Sequence, residues 1–565
     1  MEHIMSKYNS QSKSSSPFRG NGEGVRGHAF MIFVTGGVVS SLGKGIISSS
    51  IGKLLQARGY KVTIQKFDPY INIDPGTLNP YEHGECYVTI DGMETDLDLG
   101  HYERFTGIRT TRGNSVTTGR IYQSVIEKER RGDYLGKTIQ VVPHITNEIK
   151  RMMMREDDPE DYDFIITEVG GTIGDIESAP FMEAIRQLRW ELSGRCVNVH
   201  LTYVPYLRAA GELKTKPTQH SVKEMQGMGI QPDILILRTE QHLDDGMRQK
   251  VASFCNVDLE CVVQSEDLPS IYEVPVNMQR QGLDAAILRK LGIPVGETPA
   301  MKPWRDFLQK QKDAQREVHV ALVGKYDLQD AYKSIRESLI LAGIYKGVKV
   351  KLHFVNSEDL TDENIAEKLN ALPLREGRGG SGVLICPGFG QRGIEGKIVA
   401  LKYCREHDIP TFGICLGMQM MVIEYARNVL GLTDANSREM NAETPHPVID
   451  IMEEQKKLTQ MGGTMRLGGY ECELRQGSRA LEAYGQSLIT ERHRHRYELN
   501  PQYIPQLEEA GMQCVGHNPQ TGLAEIVEVP SQRWFIGTQF HPEYGSTVLH
   551  PHPLFLSFVG CLSAE

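Results

Sequence analysis

The sequence predicts an α/β protein with two parallel-sheet domains. An apolar run at residues 30–35 leads into a glycine-rich loop and then a helical pattern. A second apolar run ends at a cysteine between Gly413 and Gly417, again followed by a helical pattern. Strands that alternate with helices in this way favour a parallel sheet covered by helices. A chain of 565 residues is too long for one ordinary core, so we expect two or three domains.

The composition excludes several classes of protein. Hydrophobic residues make up 40% of the chain and charged residues 24%, as is typical of a soluble globular protein. The formal net charge of -10 argues against a general nucleic-acid binder, because such proteins are usually basic. No apolar run reaches about 18 residues, so we expect no membrane span. The ten cysteines have no C-x-x-C spacing, so we expect reduced thiols in a cytoplasmic protein rather than disulfides or a zinc site.

The N-terminal part of the chain reads as a tail followed by a strand, a loop and a helix. Residues 1–28 are rich in Ser, Gly and Asn, and we expect a disordered tail because they have too few apolar residues to order themselves. The helix after the loop has its apolar face at Ile47, Ile51, Leu54, Leu55 and Arg58. A glycine-rich loop at a helix start favours phosphate, through backbone N–H groups and the helix dipole. The strict P-loop pattern fails, since its first glycine is absent and Gly45 stands where Ser or Thr would hold magnesium. A structural turn therefore remains the alternative.

The second glycine-flanked turn carries a candidate nucleophile. Cys415 lies between Gly413 and Gly417, and such a strained strand-to-helix turn presents a nucleophile beside helix N–H groups. His541 and Glu543 lie two residues apart after a strand-like run, so on an extended segment both side chains share one face. One can take the thiol proton while the other orients the imidazole. From the G-x-C-x-G pattern alone, a buried structural cysteine is the alternative.

Together these two stretches resemble the class I glutamine amidotransferases. The residues that carry the resemblance are GICLGMQ at 413–419 and QFHPE at 539–543. It implies a flavodoxin-like α/β domain that hydrolyses glutamine and passes ammonia to a partner domain, with Cys415, His541 and Glu543 as catalytic residues. It also implies glutamine-binding residues: Gly388, Leu416, Gly417, Met418, Gln419, Glu439 and Arg496. Taken alone, the basic run 492–496 would be a solvated face. Pro387 has no N–H, so we expect the oxyanion donors to be Gly388 and Leu416.

Further motifs, in order along the chain, resemble the CTP synthase family. They are VTGGVVSSLGKGI, KFDPYINIDPGT, DLDLGHYERF, TGRIY, KERRGDYLGKTIQVVPHIT, EVGGTIGDIES and GELKTKPTQHSVKE. The resemblance covers about residues 31–560. It implies a P-loop-like parallel-sheet synthase domain at 29–296, which binds ATP and UTP, and the amidotransferase domain at 317–565. The proline-rich and then charged stretch 297–316 is predicted to be the linker.

The same resemblance implies two nucleotide sites and a magnesium site. ATP is expected at Ser41, Leu42, Gly43, Lys44, Gly45, Ile46, Lys66 and Asp98. Asp98 and Glu168 are expected to hold Mg²⁺, a hard ion that prefers carboxylates together with phosphate oxygens. UTP, and CTP as a feedback inhibitor, are expected at Ser40, Asp175, Ile176, Glu177, Lys214, Thr215, Lys216, Pro217, Thr218, Gln219 and Lys250. For the stretch KTKPTQ taken alone, a solvated basic turn is the alternative.

The family resemblance implies an ATP-dependent ligase of pyrimidine biosynthesis that aminates UTP to CTP with ammonia from glutamine. His83, with Pro80 and Cys86 nearby, matches the family's ammonia gate, with a packed core histidine as the alternative. Activation by GTP is implied through Arg392 and Arg466. A homotetramer is also implied, and filament formation stays open.

Two rival functions are considered. A related amidoligase that acts on a cofactor carboxylate shares both domain types, but the stretches KTKPTQ and DIES argue against it. A nucleotide-sensing or filament-forming protein without catalysis is the other rival. The intact candidate residues argue against that rival, and they are Cys415, His541, Glu543, Lys44, Asp98 and Glu168.

Overall fold

The computed structural model describes residues 29–155, 158, 160–370, 380–451 and 465–564. The predicted tail at 1–28 lies outside these residues. Within them the chain forms two compact units. The first unit comprises residues 29–73, 101–108 and 113–302, and the second comprises residues 74–100, 109–112 and 303–564. The domains predicted from the sequence are continuous, whereas both units are discontinuous.

The first unit is built on a seven-stranded sheet in which every neighbouring pair runs parallel. Its strands are β1 (Phe30–Gly36), β2 (Val62–Asp68), β3 (Ser115–Thr117), β4 (Phe164–Val169), β5 (Cys196–Tyr203), β6 (Ile234–Thr239) and β7 (Val262–Glu266), in the order β7-β6-β5-β1-β4-β2-β3. β2 and β4 are buried along their whole length, as expected for strands covered on both faces. The carboxyl ends of β1, β4 and β2 lie side by side, where α/β sheets bind ligands.

Helices and a short hairpin complete the first unit. The helices are Lys44–Ala57, Thr118–Arg131, Thr146–Met153, Ala179–Glu191, Lys216–Gly227, Asp245–Cys255, Val274–Arg280 and Leu283–Lys290, with helical turns at Val141–Ile145, Ile176–Ser178, Leu259–Cys261 and Ile271–Glu273. The hairpin pairs Tyr206–Leu207 with Glu212–Leu213. The chain passes from one unit to the other within the helix Asp98–Thr106 and the turn Arg112–Asn114. The face predicted for the first helix is confirmed for Ile47, Ile51, Leu54 and Leu55, which are all buried. Arg58, the fifth residue of that face, caps the helix and pairs with Asp284 at 2.7 Å.

The second unit contains a nine-stranded mixed sheet. Its strands are β8 (Arg316–Gly324), β9 (Val348–Asn356), β10 (Ser381–Ile385), β11 (Thr411–Ile414), β12 (Arg466–Leu474), β13 (Leu488–His495), β14 (Gln513–His517), β15 (Ala524–Glu528) and β16 (Phe535–Thr538), in the order β9-β8-β10-β11-β16-β15-β14-β12-β13. The first five are parallel and the rest antiparallel. The parallel part has the flavodoxin order 2-1-3-4-5, as predicted.

The second unit also contains helices, helical turns and two small sheets. The helices are Pro80–His83, Lys302–Asp313, Lys333–Tyr345, Ile365–Asn370, Ile394–Glu406, Leu416–Asn428, Arg479–Tyr484, Ile504–Glu509 and Pro553–Ser563, with turns at Gln329–Tyr332, Ser357–Asp359, Pro501–Tyr503 and Pro542–Gly545. The small sheets comprise Ala435–Ser437 with His446–Ile451 and Tyr497–Leu499, and Tyr87–Val88 with Glu94–Thr95. In the part of the chain that the structure describes, no helix has both the length and the apolar character needed to cross a bilayer.

Residues 74–100 pack against β12 and β13. The backbone N–H of Gly469 donates to the carbonyl of Ile90 at 2.8 Å. The backbones come so close that a Cβ on Gly92 would lie 2.7 Å from the carbonyl oxygen of Leu467. The side chain of Arg494 reaches back to Glu94, with 2.8 Å between Nε and Oε1. These residues therefore form part of the wall around the second unit's core.

Candidate active site

Cys415 occupies a strained turn between β11 and the helix that begins at Leu416. Its φ of 52° and ψ of -104° are unusual for a residue with a side chain, and such strain is typical of functional turns. The flanking glycines are required by space. A Cβ on Gly413 would lie 2.8 Å from the carbonyl carbon of Gly417, and one on Gly417 would lie 2.4 Å from the carbonyl oxygen of Ile385. The structure therefore has the nucleophile turn that the sequence predicts.

His541 and Glu543 form a buried pair next to Cys415. The Nδ1 atom of His541 lies 2.7 Å from Oε1 of Glu543. The ring stacks on Tyr544, with centroids 5.1 Å apart and planes inclined by 9°. Its Nε2 atom is buried and has no hydrogen-bond partner among the described residues. Because Glu543 and Tyr544 fix the ring, Nε2 is the atom left for proton transfer at the cysteine and its substrate.

The charge of this pair follows from its surroundings. Burial alone would lower the pKa of His541, but the charges of Glu543 and Cys415 outweigh burial and raise the pKa to about 10. The imidazole is therefore protonated at neutral pH and places a positive charge beside the sulfur. Since this pKa lies above the unfolded value of about 6.5, the pair stabilises the fold fully below that value, and the contribution is lost as the pH rises through about 10.

Replacing Glu543 with Gln should shift the pH dependence of glutamine hydrolysis. The change removes the charge that stabilises the imidazolium, so the pKa of His541 should fall. We expect the alkaline limb of kcat/KM to move to lower pH by at least about one unit, measured as glutamate release between about pH 7 and pH 10.5. Glu491→Gln is the matched control, because Glu491 pairs with another imidazole, that of His552 at 2.9 Å. An unshifted limb in the Glu543 variant would contradict the assignment.

A small cavity of about 30 Å³ adjoins the cysteine. It is lined by Gly388, Phe389, Cys415, Gln419, Glu439, His495, Arg496 and Tyr497. Four of the predicted glutamine-binding residues therefore line it, namely Gly388, Gln419, Glu439 and Arg496. The side chains of Leu416 and Met418 are buried in the hydrophobic core, so only their backbones are available to a ligand. Burial raises the pKa of the Glu439 carboxyl, and the positive charges of Lys325 and Arg496 act in the opposite direction.

Two buried lysines hold the loop that carries Gly388. The Nζ atom of Lys325 donates to the carbonyl of Phe389 at 2.8 Å, and the Nζ atom of Lys397 donates to that of Cys386 at 2.5 Å. Burial lowers the pKa of Lys325 to about 8 and that of Lys397 to about 7. With carbonyls held at both ends, the loop has a fixed course past Cys415. Gly388 lines the same small cavity as Cys415, and its role as oxyanion donor stays a prediction.

A larger cavity of about 170 Å³ connects this centre with residues 75–96 of the same unit. Its lining includes Cys415, His541 and Glu543 on one side and Pro80, His83 and Cys86 on the other. The structure therefore brings the predicted gate residues to the same cavity as the catalytic residues. His83 is half-buried and lines a cavity, so it is not a packed core histidine.

In the first unit the glycine-rich loop joins β1 to the helix that begins at Lys44. Val38, Ser41 and Gly43 adopt left-handed conformations, with φ of 79°, 59° and 88°. Such turns point successive N–H groups into a concave surface that suits an anion. The Nζ atom of Lys44 reaches the carbonyl of Gly171 at 2.9 Å. Lys44 thus lies at the carboxyl ends of β1 and β4, where the sequence predicts phosphates.

A buried hydrogen-bond network of Thr35, His200 and Ser221 packs against this loop. Thr35 Oγ1 lies 2.9 Å from Nδ1 of His200, and Nε2 of His200 lies 2.8 Å from Oγ of Ser221. Burial lowers the pKa of His200 to about 3, and the charge of Lys44 acts in the same direction. A Cβ on Gly37 would lie 1.7 Å from Oγ of Ser221. Only glycine therefore fits where the loop packs against this network. The neutral imidazole therefore fixes the loop without competing for phosphate.

Carboxylates suited to a magnesium ion lie beside this loop. Oε1 of Glu168 accepts a hydrogen bond from Nζ of Lys66 at 3.1 Å. Oε2 of Glu168 accepts another from the hydroxyl of Tyr102. Asp68 lies 3.8 Å from the same Nζ, and both acids are buried. Among the described residues no group of three or more His, Cys, Asp or Glu side chains could hold a metal by itself. The oxygen donors fit Mg²⁺, which takes one or two carboxylates together with phosphate oxygens. Asp98 is the first residue of its helix and belongs to the second unit, whereas Glu168 belongs to the first. That the two acids hold the same magnesium ion therefore stays a prediction.

Six of the predicted UTP residues, Lys214 to Gln219, lie at the start of the helix Lys216–Gly227. Lys214 forms an ion pair with Glu212. That contact lowers the pKa of Glu212, and the charge of Lys250 acts in the same direction. Thr218 and Gln219 are buried, and their side chains bond to Thr202 and Thr215 inside the unit. Several of the predicted UTP residues are exposed and accessible to a ligand: Ser40, Asp175, Ile176, Glu177, Lys216 and Lys250. Ser41, which was predicted for ATP, is exposed as well.

The two arginines predicted for GTP differ in accessibility. Arg392 is exposed, pairs with Glu358 and lies 5.2 Å from the ring centre of Tyr326. Arg466 is buried and pairs with Glu525 at 2.8 Å. A nucleotide at the surface can therefore reach Arg392 but not Arg466.

Sequence reasoning missed several residues of these sites. The Nε2 atom of Gln539 lies 3.8 Å from the sulfur of Cys415. Its position two residues before His541 on an extended run was a usable signal, because alternate residues share a face. Asp68 likewise follows Lys66 by two residues at the end of β2. For Lys325 and Lys397 no local pattern distinguishes a buried lysine from a solvated one.

Comparisons with known proteins agree with both halves of this description. A family model described as CTP synthase N-terminus matches residues 30–293, and one described as Glutamine amidotransferase class-I matches residues 327–561. A protein of Bacteroides thetaiotaomicron named CTP synthase is 69% identical over 535 residues, which are 94% of this chain and 98% of the relative. Proteins with the same name from Bacteroides fragilis and Porphyromonas gingivalis are 67% and 63% identical, again over 94% of this chain and over 99% and 97% of their own lengths. The chain therefore belongs to the CTP synthase family.

Proposed function

We propose that the chain aminates UTP to CTP, using ATP and the ammonia released from glutamine. The observation that carries this proposal is the cavity that joins Cys415, His541 and Glu543 to His83 within the second unit. A glutaminase centre that shares one cavity with the predicted gate residues is suited to passing ammonia on. The family membership supports the same reaction.

The glutaminase half follows from the geometry of the cysteine turn. The sulfur of Cys415 attacks the side-chain amide carbon of glutamine, and the N–H groups of Gly388 and Leu416 stabilise the oxyanion. The protonated His541 then gives its proton to the departing nitrogen, so that ammonia leaves and a thioester remains. Water attacks the thioester while His541 takes its proton, which releases glutamate and regenerates the cysteine. Glu439 and Arg496 pair with the charged ends of glutamine.

The synthase half needs an activated leaving group. The 4-oxygen of UTP takes the γ-phosphoryl group of ATP, ADP leaves, and ammonia then displaces phosphate at C4. Lys44 and Lys66 neutralise the ATP phosphates. Bound Mg²⁺, held by Glu168 and Asp98, would offset the charge of the phosphate oxygens. The UTP triphosphate binds at the start of the helix Lys216–Gly227, beside Lys214 and Lys250.

Transfer through the cavity solves a chemical problem. At neutral pH, free ammonia is mostly ammonium, which is not nucleophilic. The cavity is lined by Pro80, His83 and Cys86 opposite the catalytic residues. Burial raises the pKa of Cys86 to about 12, so its thiol stays neutral and does not trap a cation. His83 would act as the gate that the family resemblance implies.

Regulation and assembly belong to the same proposal. CTP would compete with UTP for the triphosphate site while Asp175–Glu177 contacts its base, which gives feedback inhibition. GTP would bind near the exposed Arg392. The enzyme would be a cytoplasmic homotetramer.

The proposal is tested with the purified protein, UTP, ATP, Mg²⁺ and either glutamine or ammonium chloride. We expect CTP from both nitrogen sources, quantified by chromatography, and no CTP when ATP is left out. Glutamate release without CTP from either source would favour an amidoligase with another acceptor. A protein that forms neither CTP nor glutamate would favour the nucleotide-sensing alternative.

A further inference from the structure

Tyr544 lies at the centre of a set of buried contacts that joins His541 to residues 86–88. The His541 ring stacks on the Tyr544 ring, with 5.1 Å between their centres. The hydroxyl of Tyr544 donates to the carbonyl of Cys86 at 2.9 Å, and the hydroxyl of Tyr87 donates to the carbonyl of Tyr544 at 3.1 Å. The two tyrosine rings also meet edge to face, with centres 4.8 Å apart. All of these residues belong to the second unit.

Arg492, on β13, completes this set. Its backbone carbonyl accepts from the N–H of His541 at 2.8 Å. Its Nη1 atom donates to the carbonyl of Val88 at 3.0 Å, and its Nη2 atom donates to the carbonyl of Tyr544. The guanidinium carbon lies 5.1 Å from the ring centre of Tyr87 and 5.6 Å from that of Tyr544, within the range of favourable cation–π contacts. One residue therefore holds the backbone of His541 and both the backbone and the ring of Tyr544.

Burial makes these contacts difficult to exchange for others. The side chains of Tyr87, Arg492, His541 and Tyr544 are all buried. A buried guanidinium or hydroxyl must find its hydrogen-bond acceptors inside the protein, because water cannot replace them. The position of the Tyr544 ring is therefore set by residues 86–88 and by Arg492 as well as by its stack on His541.

The stack supplies a constraint that Glu543 alone does not. Glu543 contacts the imidazole at one atom, Nδ1, at 2.7 Å. A single contact at one ring nitrogen leaves the ring able to tilt about that point. The Tyr544 ring, inclined by only 9° to the imidazole, opposes this tilt. The tilt matters because proton transfer from Nε2 depends on the direction in which that atom points.

We propose that Arg492 and Tyr87 are positioning residues that hold the Tyr544 ring flat against the catalytic imidazole, so that the backbone of residues 86–88 sets the direction of proton transfer in glutamine hydrolysis. This inference rests on the proposed glutaminase function. Cys86 lines the larger cavity together with His541. A displacement of residues 86–88 would therefore change the cavity wall and the support of the imidazole at the same time.

Arg492→Met tests the first positioning residue. Methionine has a similar length and donates no hydrogen bond, so the Tyr544 ring should lose its anchor. We expect the glutaminase kcat to fall about tenfold while the KM for glutamine stays within about twofold, since Arg492 does not line the small cavity beside Cys415. CTP formation from ammonium chloride should stay within about twofold of wild type. An unchanged kcat would overturn the proposal.

Arg427→Met is the matched control for this substitution. Nε of Arg427 also donates to a backbone carbonyl of the second unit, that of Ala435 at 2.7 Å, and its Nη1 atom bonds to Glu395. We expect its glutaminase kcat to stay within about twofold of wild type. An equal loss of kcat in this variant would show that any buried arginine has the same effect and would overturn the specific role of Arg492.

Combined variants separate positioning through Tyr544 from general damage. Tyr544→Leu removes the stack, and we expect a fall in kcat of about tenfold. If Arg492 acts through Tyr544, the double variant should also lose about tenfold, whereas independent effects would multiply to about a hundredfold. Tyr87→Phe removes one hydroxyl and should cost about threefold in kcat. A hundredfold loss in the double variant, or an unchanged kcat in Tyr87→Phe, would overturn the corresponding assignment.

A further measurement does not depend on activity. In protein labelled with ¹³C at Cε1 of histidine, the His541 resonance carries the ring current of Tyr544 and is identified by its absence from His541→Gln protein. In Arg492→Met we expect this resonance to move in the same direction as in Tyr544→Leu. A resonance at the wild-type position would overturn the positioning role even if activity fell. The expected movement in a protein whose wild type releases no glutamate would refute the proposed function and leave the positioning of the ring standing.

Discussion

The Cys415→Ala protein should form CTP from ammonium chloride but not from glutamine. Alanine removes the only atom that can form the thioester, so glutamine hydrolysis should fall at least about a thousandfold, as when the nucleophile of a catalytic triad is removed. Most of the predicted synthase residues lie in the other unit, and in this assay we expect their site to receive ammonia directly from solvent. CTP and glutamate are both measured, with each nitrogen source.

The control is Cys561→Ala, which removes a half-buried thiol from the C-terminal helix and should retain both activities. Glutamate release by the Cys415 variant at the wild-type rate would contradict the assignment of the nucleophile. Loss of CTP formation from both sources would instead indicate damage beyond the cysteine turn.

The Lys44→Ala protein should show the opposite pattern. Its CTP formation should fall by roughly ten- to a hundredfold with either nitrogen source, the loss of a charge-assisted hydrogen bond to phosphate. Glutamine hydrolysis, measured alone, should persist because Cys415 and His541 lie in the other unit. CTP formation is followed at several ATP concentrations, and the KM for ATP should rise.

Lys61→Ala is the matched control. Lys61 lies at the exposed end of the same strand-helix segment and pairs with the exposed Glu160 at 3.1 Å, and such surface pairs contribute little to stability. Normal CTP formation by Lys44→Ala with an unchanged KM for ATP would refute the phosphate role of the glycine-rich loop.

Local patterns were sufficient to predict the cysteine turn. The glycines around Cys415 predict a crowded turn. The structure shows backbone contacts that leave no room for a Cβ at Gly413 or Gly417. His541 and Glu543 do pair, but not on the extended segment that was predicted: β16 ends at Thr538, and Glu543 lies in the helical turn Pro542–Gly545. The parallel direction of β9, β8, β10, β11 and β16 also follows from strands that alternate with helices, whereas their flavodoxin order was implied by the family resemblance.

The basic run at 492–496 was harder to interpret. Its histidines are buried in the second unit, where His493 lies 3.3 Å from Glu525 and His495 lies 3.2 Å from the carbonyl oxygen of Tyr497. Arg492 and Arg494 are also mostly buried, because the carbonyl of Val88 and the side chain of Glu94 cover them. Those partners lie about four hundred residues earlier in the chain. The sequence close to residue 494 does not include these partners. Judged from that local sequence alone, the basic run therefore resembles a solvated face.

The packing of residues 74–100 against β12 and β13 also constrains how the protein is made. Translation proceeds at about 5–20 residues per second, so these residues leave the ribosome tens of seconds before β13. During that interval Glu94 and Tyr87 lack the arginines that later cover them. The second unit therefore cannot complete the packing of residues 74–100 against β12 and β13 until most of the chain has been synthesised. Until then, residues 74–100 lack these partners.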